Sequence, residues 1–297
     1  MRVAVSGSSG LIGSALVARL AAGGHEVRRL VRGGVGPHDV AWDPVGGTVD
    51  EVALAGTEAV VHLAGEGIGR RRWSAAQKTR IRNSRATGTA TLSGALARLD
   101  PPPSVLVSGS AVGWYGDRGD EELTEDSAPG TGFLAELCRE WEAATAPASD
   151  AGIRVVNVRT GVVQSPRGGA LAKQLPLFRL GLGGPLGRGR QYMSWISLDD
   201  EVSALIHALV TPSLAGPVNL VSPTPVTGVE FARTLGRVLG RPARLPVPRL
   251  AMAVPLGREL VAELLSSQRA RPARLEASGF TFAHASLEPA LRHVLGR

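Results

Sequence analysis

The chain has 297 residues, a formal net charge of +7 and an isoelectric point near 10.7. This length suits one large α/β domain, or one domain with a smaller addition, and is ample for a buried core. All but two of the 33 basic residues are arginine, and they are scattered along the chain. A nucleic-acid surface needs clustered charge and readout groups, so we expect no nucleic-acid partner.

A single cysteine, Cys138, excludes an internal disulfide and a cysteine-rich metal site. It lies among apolar residues of a predicted helix, which favours a small core residue. No His, Asp and Glu residues have the spacing of metal ligands, so we expect no metal. No secretory leader precedes the first strand, and the apolar runs are too short to span a bilayer. These features predict a cytoplasmic protein with no membrane partner.

The chain opens with a β-branched strand, a glycine-rich turn and a helical pattern. Gly7 allows a tight turn, Gly10 lets the backbone approach a pyrophosphate, and Gly13 lets the helix pack close to the strand. The helix N-terminus offers unpaired N–H groups to phosphates. The alternative is a structural turn without a ligand. The predicted dinucleotide-binding residues of the turn are Gly7, Ser8, Ser9, Gly10, Leu11, Ile12 and Gly13.

The second predicted strand, over 26–32, ends at Arg32, nineteen residues after Gly13. Proteins that bind NAD usually carry a carboxylate here to hold the ribose hydroxyls. A guanidinium instead suits a 2′-phosphate, which a carboxylate would repel. The sequence therefore predicts NADP as cofactor, with NAD the less favoured one. The alternative is that Arg32 is a solvated residue at a strand end.

The following segments continue the alternation of strands and helices. Strands are predicted over 59–65, 104–108 and 153–159, and helices over 77–99 and 133–144. This alternation predicts an α/β protein with a Rossmann-type, doubly wound parallel sheet and right-handed crossovers. Ligands bind beyond the carboxyl ends of the strands in such sheets. The residues that follow each strand are therefore the candidate site residues.

Towards the C-terminus the alternation loosens. The pair Asp199-Asp200 has the residue type that caps a helix, here one over 202–210. Prolines between 242 and 255 end regular sheet structure, and helical pieces follow. We expect a dinucleotide-binding domain over 1–240 and, over 241–297, a small helical C-terminal subdomain that covers the cofactor face.

These residues resemble the short-chain dehydrogenase/reductase superfamily, specifically its extended, epimerase-like branch. The glycine spacing matches, as does the segment 62–65 after a buried strand. The segment 108–116 is similar to the branch's serine-rich strand end followed by Tyr-Gly. Other motifs resemble one atypical, cell-division-inhibitor-like subfamily with a C-terminal domain of unknown function. These motifs lie at 71–73, 133–138, 159–163, 183–187, 194–196, 216–219, 267–269 and 287–291.

The resemblance implies an NAD(P)-binding protein that acts on a small-molecule substrate, which the sequence does not identify. A homodimer is usual in the superfamily. Arg85 stands in the place of the usual Asn, and a charge that enters a cofactor cleft needs a partner. The alternative for Arg85 is a solvated position on a helix face. Beyond the glycine turn and Arg32, the predicted cofactor contacts are Leu63, Ala64, Gly65, Arg85, Ser108 and Arg159.

The Tyr-x-x-x-Lys pair of the superfamily is missing from the sequence. In that pair the lysine and the nicotinamide lower the pKa of the tyrosine, which then exchanges a proton with the substrate oxygen. Neither Tyr115 nor Tyr192 has a lysine four residues on, and Phe133 and Leu137 stand at the matching positions. Of the usual tetrad only the serine position survives, at Ser110. Ser110 is therefore the one catalytic residue that we predict.

Three of the polar residues discussed have a structural role as the alternative to a functional one. Tyr115 is expected to be a packed ring with a satisfied hydroxyl, and His62 a satisfied core histidine. For Ser110, a role as a turn residue is the equally supported alternative to a catalytic role. Two functions remain open: an NADP(H)-dependent oxidoreductase or epimerase-like enzyme, or a non-catalytic NADP(H)-binding sensor or scaffold. The enzyme would need an unusual proton donor, such as Ser110, a water or the substrate itself.

Overall fold

The structure is a computed structural model that describes residues 1–33, 36–69 and 71–297. Its strands, in chain order, are β1 (Arg2–Ser6), β2 (Glu26–Val31), β3 (Asp39–Asp43), β4 (Thr48–Val49), β5 (Ala59–His62), β6 (Val105–Ala111), β7 (Glu122–Leu123), β8 (Arg154–Thr160), β9 (Val162–Gln164), β10 (Tyr192–Met193), β11 (Trp195–Ser197), β12 (Gly216–Leu220), β13 (Val226–Thr227) and β14 (Arg269–Ala270). Its helices are α1 (Leu11–Ala22), α2 (Glu51–Leu54), α3 (Ala75–Ala97), α4 (Phe133–Ala143), α5 (Ala146–Asp150), α6 (Gly169–Arg179), α7 (Leu198–Val210), α8 (Gly228–Leu239), α9 (Arg249–Leu256), α10 (Arg258–Leu264), α11 (Ala273–Ala277) and α12 (Leu287–Leu295), with a 3-10 helix over Val112–Tyr115.

The central sheet has eight strands in the order β12-β8-β6-β5-β1-β2-β3-β4. Neighbouring strands are parallel except for β3 and β4, a short antiparallel pair at one edge. The strand order reverses at β1, which pairs with β2 on one side and with β5 on the other. Such a reversal opens a crevice at the carboxyl ends of the strands. The predicted Rossmann-type doubly wound sheet is confirmed.

Helices cover both faces of the sheet because successive strand residues point to opposite sides. On one side, Val5 of β1 packs in a buried cluster with Leu16 of α1 and Leu205 of α7. On the other side, the neighbouring Ala4 belongs to a cluster with Leu92 of α3. The sheet therefore has a buried core on each face, and the carboxyl ends of its strands are the place to look for the functional site.

The start of α7 differs from the prediction. The helix begins at Leu198, and its cap is Ser197, whose hydroxyl accepts the backbone N–H of Asp200 at 3.0 Å. The prediction that the pair Asp199-Asp200 caps this helix is wrong. The Asp200 carboxylate instead accepts the backbone N–H groups of residues 283 and 284, and so ties α7 to the C-terminal segment. Aspartate is favoured both as the cap of a helix and in its first turn. The sequence does not distinguish these two positions, which explains the error.

The C-terminal segment packs against the rest of the chain at separate places. Leu275 of α11 joins the cluster on one sheet face, and β14 pairs with β7. Leu291 of α12 packs in a third cluster with Phe231 and Leu235 of α8. The helical character of this region is confirmed, while the division at residue 240 stays a prediction. Across 1–33, 36–69 and 71–297, no helix combines the length and apolarity needed to cross a membrane.

We expect Leu291→Ala to lower the free energy of unfolding by about 2–5 kcal/mol, because it leaves a cavity in a fully buried cluster. Leu250→Ala is the control, since that side chain is 72% exposed, and it should change stability by less than about 0.5 kcal/mol. Urea denaturation followed by circular dichroism measures both. Equal stability of the two variants would mean that α12 is not part of the cooperative core.

Candidate functional site

The glycine turn is held by backbone contacts that leave no room for side chains. Gly7 has a φ of +67°, and a Cβ there would lie 2.7 Å from the backbone carbon of Leu63. A Cβ at Gly13 would lie 2.2 Å from the carbonyl oxygen of Gly7. Gly10 is the N-cap residue of α1, and no side chain among the described residues accepts a hydrogen bond at this helix start. The first N–H groups of α1 therefore face the crevice beside β1, as an anion site requires.

The turn is joined to β5 by a buried polar chain. The Ser6 hydroxyl lies 2.6 Å from Nδ1 of His62 and accepts the backbone N–H groups of Leu63 and Ala64 at 3.1 and 3.3 Å. Nε2 of His62 lies 3.0 Å from the Thr89 hydroxyl. Burial lowers the pKa of His62 to about 4, so the ring is neutral at pH 7. The prediction of a satisfied core histidine is confirmed.

Gly65 and Arg85 lie together at the end of β5. A Cβ at Gly65 would come within 3.0 Å of the Arg85 guanidinium carbon. That guanidinium donates to the carbonyl of Glu66 at 2.9 Å and stacks 5.0 Å from the Trp141 ring. Burial lowers the pKa of Arg85 below its usual value. Arg85 is thus not a solvated position on a helix face, and its contact with the cofactor stays a prediction.

The three arginines of the second strand region have different surroundings. Arg28 donates to the carbonyls of Ala53 and Ala55, at 2.5 and 3.0 Å. Arg29 forms a paired contact with Asp39, with N–O distances of 2.8 and 2.7 Å. Arg32 follows β2 and is exposed at the carboxyl edge of the sheet. It is therefore the arginine of this group that is placed to reach a ligand.

Arg159 and Ser110 belong to one buried ion-pair network at the ends of β6 and β8. The Arg159 guanidinium is 2% exposed and pairs with both carboxylate oxygens of Glu142, at 2.8 and 3.0 Å. It also stacks 3.8 Å from the Trp114 ring. The Ser110 hydroxyl donates to Glu142 at 2.7 Å. All three side-chain nitrogens of Arg159 have partners within the protein, and its contact with the cofactor stays a prediction.

Two further predicted residues on this side are buried. Ser108 is fully buried, and its hydroxyl has no hydrogen-bond partner among the described residues. The Tyr115 hydroxyl lies 2.7 Å from the amide oxygen of Asn219 and 3.2 Å from Nη1 of Arg159. Burial raises the pKa of Tyr115 above its usual value, which makes it a poor base at pH 7. The prediction of a packed tyrosine with a satisfied hydroxyl is confirmed.

The face of α4 that would carry the tyrosine–lysine pair is apolar. Phe133 meets the Trp73 ring edge-on, with ring centres 5.0 Å apart. Leu137 is 2% exposed and packs in one cluster with Trp73, Ile81 and Leu260. Cys138, on the next position, is buried as predicted, and burial raises the pKa of its thiol to about 11. This face therefore has no titratable group near neutral pH.

A small cavity of about 160 Å³ lies between β9, α6, β10 and α10, and the sequence analysis did not predict it. Polar side chains from distant segments line it, among them Gln174, Tyr192, Glu263 and Gln268. Glu263 is half-buried, and its Oε1 accepts the backbone N–H of Leu134 at 3.4 Å. Gln268 lies in the motif at 267–269, and Tyr192 lies just before the motif at 194–196. No local pattern in the sequence indicates that these two residues line the same cavity.

A buried carboxyl, Glu201, lies behind the end of β8. It is fully buried on α7, and the Thr160 hydroxyl donates to its Oε1 at 2.9 Å. Its other oxygen has no partner among the described residues. Desolvation raises the pKa of Glu201 to about 8, so this carboxyl is protonated at pH 7. In the described part of the chain, no three His, Cys, Asp or Glu side chains are grouped to hold a metal ion.

The fold and the glycine turn define the class of protein, a Rossmann-type α/β protein of the short-chain dehydrogenase/reductase kind. Residues 3–220 match the model of the NAD dependent epimerase/dehydratase family, and residues 247–294 match a domain of unknown function, DUF1731. The chain belongs to the NAD dependent epimerase/dehydratase family. The epimerase-like resemblance and its C-terminal domain of unknown function are thereby confirmed.

Relatives match over the full length of the chain. The epimerase family protein Mb2239 of Mycobacterium bovis is 49% identical over 296 residues, which cover 99% of this chain and 98% of the relative. The crystal structure of human epimerase family protein SDR39U1 (isoform 2) with NADPH has a TM-score of 0.92 and 36% identity, over 100% of this chain and 99% of that chain. A nucleoside-diphosphate sugar epimerase from Corynebacterium glutamicum has a TM-score of 0.81 and 41% identity, over 100% of this chain and 58% of that chain.

Glu201→Gln should change how stability depends on pH. The native pKa of Glu201, about 8, lies above the ordinary value of 4.5, so the wild type loses stability as the pH rises from about 5 to 8. The loss is up to about 1.4 kcal/mol per pH unit. The variant keeps a similar shape and lacks this titration. Urea denaturation of both proteins between pH 5.5 and 8 gives the difference, and parallel curves would contradict a buried, protonated Glu201.

Proposed function

We propose that this protein is an NADP(H)-dependent oxidoreductase or epimerase-like enzyme with a proton donor other than the usual tyrosine. The observation that carries the proposal is the glycine turn at the strand-order reversal, with the uncapped start of α1 and the exposed Arg32 both at the carboxyl edge of the sheet. Both features suit phosphate groups, one of a pyrophosphate and the other of a 2′-phosphate. The cavity near the same sheet edge, which apolar residues line together with a few polar side chains, offers space for a substrate.

The residues present fit NADP(H). The first N–H groups of α1 would hold the pyrophosphate, and Gly7 and Gly10 would let it approach the backbone. Arg32 would hold the 2′-phosphate, since Arg28 and Arg29 are occupied by protein acceptors. The NADPH in the human relative's structure supports this preference. When bound, such a cofactor supplies or accepts a hydride, and the protein's own residues position the substrate and move the proton.

The second open function, a non-catalytic NADP(H)-binding sensor or scaffold, has one observation in its favour. Phe133 and Leu137 pack in an apolar cluster where the tyrosine and lysine would stand. A scaffold needs no proton donor, whereas an enzyme does. The two functions therefore differ in one measurable property, the turnover of bound cofactor.

The test is whether the purified protein both binds and oxidises NADPH. Binding is followed by cofactor fluorescence, and turnover by absorbance with a panel of neutral carbonyl compounds and with UDP-glucose. We expect binding and measurable turnover with at least one compound. Tight binding without turnover across the panel would reject the oxidoreductase and leave the sensor or scaffold. Absence of binding would reject both.

Arg32→Ala should raise the dissociation constant of NADPH at least tenfold and change that of NADH less than twofold. A tenfold change corresponds to about 1.4 kcal/mol, within reach of one charged hydrogen-bond pair. Arg19→Ala on α1 is the matched control, because it removes the same charge from an exposed position. Fluorescence titration measures all constants. Unchanged NADPH binding in the Arg32 variant would contradict the choice of NADP over NAD.

A further inference from the structure

The cavity described above borders the predicted cofactor site. Val162 follows β8 at the carboxyl edge of the sheet and lines the cavity. Ala170 of α6 lines it as well, and the two glycines that precede Ala170 approach the start of α1. A Cβ at Gly168 or Gly169 would meet the Leu11 side chain at 3.4 or 3.7 Å. A molecule in the cavity would therefore lie close to a dinucleotide bound at the glycine turn.

The size and lining of the cavity restrict what it can hold. Its volume of about 160 Å³ is below the range of about 300–1,000 Å³ that ligand pockets usually have. Gln174, Gln191, Gln268 and Tyr192 supply hydrogen-bonding groups without charge. Among the described lining residues Glu263 is the only charged one, and none of these residues is a cation that could hold a phosphate. The cavity suits a small, uncharged, polar molecule.

Glu263 stands near the start of α4, the helix whose first residue occupies the position of the usual tyrosine. One turn earlier on α10, Leu260 packs with Leu137 in the apolar cluster. At the same end of α4, the backbone N–H of Leu134 donates to Oε1 of Glu263 at 3.4 Å. Burial raises the pKa of Glu263 above its usual value, and the charge of Glu259 adds to the shift. A carboxyl with a raised pKa is a better acid near neutral pH.

We propose that this cavity is the substrate pocket, that it takes a small uncharged aldehyde or ketone, and that Glu263 exchanges the proton with the carbonyl oxygen. In the direction of reduction a bound NADPH would supply the hydride for the new C–H bond, so that its own C–H bond breaks and it is oxidised to NADP⁺ while the carbonyl compound is reduced. The C=O π pair moves to the oxygen, the O–H bond of Glu263 breaks, and an alcohol O–H bond forms. The carboxylate that remains takes up a proton from water. Oxidation of the alcohol follows the reverse path.

This proposal rests on the proposed function and is tested with variants of the full chain. Glu263→Gln keeps an acceptor for the Leu134 N–H and removes the proton. Glu136→Gln on α4 is the matched control, because it removes the same acid from an exposed position that does not line this cavity. The ligand probes are glycolaldehyde, D-glyceraldehyde and dihydroxyacetone, with UDP-glucose as the charged comparison. Saturation-transfer NMR measures probe binding with and without NADP⁺, and NADPH absorbance measures turnover.

We expect at least one neutral probe to bind and turn over, and UDP-glucose to do neither. Glu263→Gln should lower kcat by about 10²–10⁴-fold, with KM within threefold and the NADPH dissociation constant within twofold of wild type. Glu136→Gln should stay within twofold of wild type in kcat.

Three results would overturn the proposal. They are binding of UDP-glucose in preference to the neutral probes, binding of no neutral probe, and turnover by Glu263→Gln within threefold of wild type. Bound neutral probes that the wild type does not reduce would equally reject the role of Glu263. Failure to bind NADPH would count against the proposed function instead, and the NMR result without NADP⁺ would still decide whether the cavity takes small carbonyl compounds.

Discussion

The close backbone contact between Gly13 and Gly7 is the constraint on which the rest of the site depends. A Cβ at Gly13 would sit 2.2 Å from the Gly7 carbonyl oxygen, far inside van der Waals contact. Any side chain there would push α1 away from β1. Because Leu16 and Leu20 of α1 fill the core on that sheet face, such a shift would also open the core. The direction in which the start of α1 points is therefore set by packing that is independent of any ligand.

A second constraint comes from polar groups that the protein uses on itself. The Arg159–Glu142 pair is buried, and loss of one partner from such a pair typically costs about 3–5 kcal/mol. Ser110 donates to the same Glu142 carboxylate, so its hydroxyl is part of the support of that pair. The proton of this hydroxyl is thus engaged within the protein, and the catalytic role of Ser110 stays a prediction. Ser110, the one member of the superfamily's tetrad that the sequence keeps, is thus hydrogen-bonded to Glu142.

The sequence predicts features that depend on residues close together in the chain, and it misses features that depend on contacts between distant residues. Strand and helix periodicity and the glycine turn are local, so the sheet and the start of α1 could be predicted. The role of Arg159 depends on Glu142, a residue from another element, which no strand pattern identifies. The cavity depends on Glu263 meeting Leu134 across 129 positions of the chain. Such meetings are decided by how α10 packs on α4, which a single sequence does not encode in any local signal.

The proposed use of a carboxyl in place of a phenol as proton donor has a physical reason in how each group reaches a pKa near 7. A tyrosine starts near pKa 10 and needs a nearby cation to bring its pKa towards 7. A glutamate starts near 4.3 and needs the opposite, namely burial without a cation. Leu137 stands at the lysine position and α10 covers the same face with Leu260, while Lys78 and Arg82 lie 5.5 and 5.7 Å from the Phe133 ring. For Glu263, burial raises the pKa and the charge of Glu259 adds to the shift. The proposal of Glu263 as proton donor rests on this difference between a buried carboxyl and a helix face without a tyrosine.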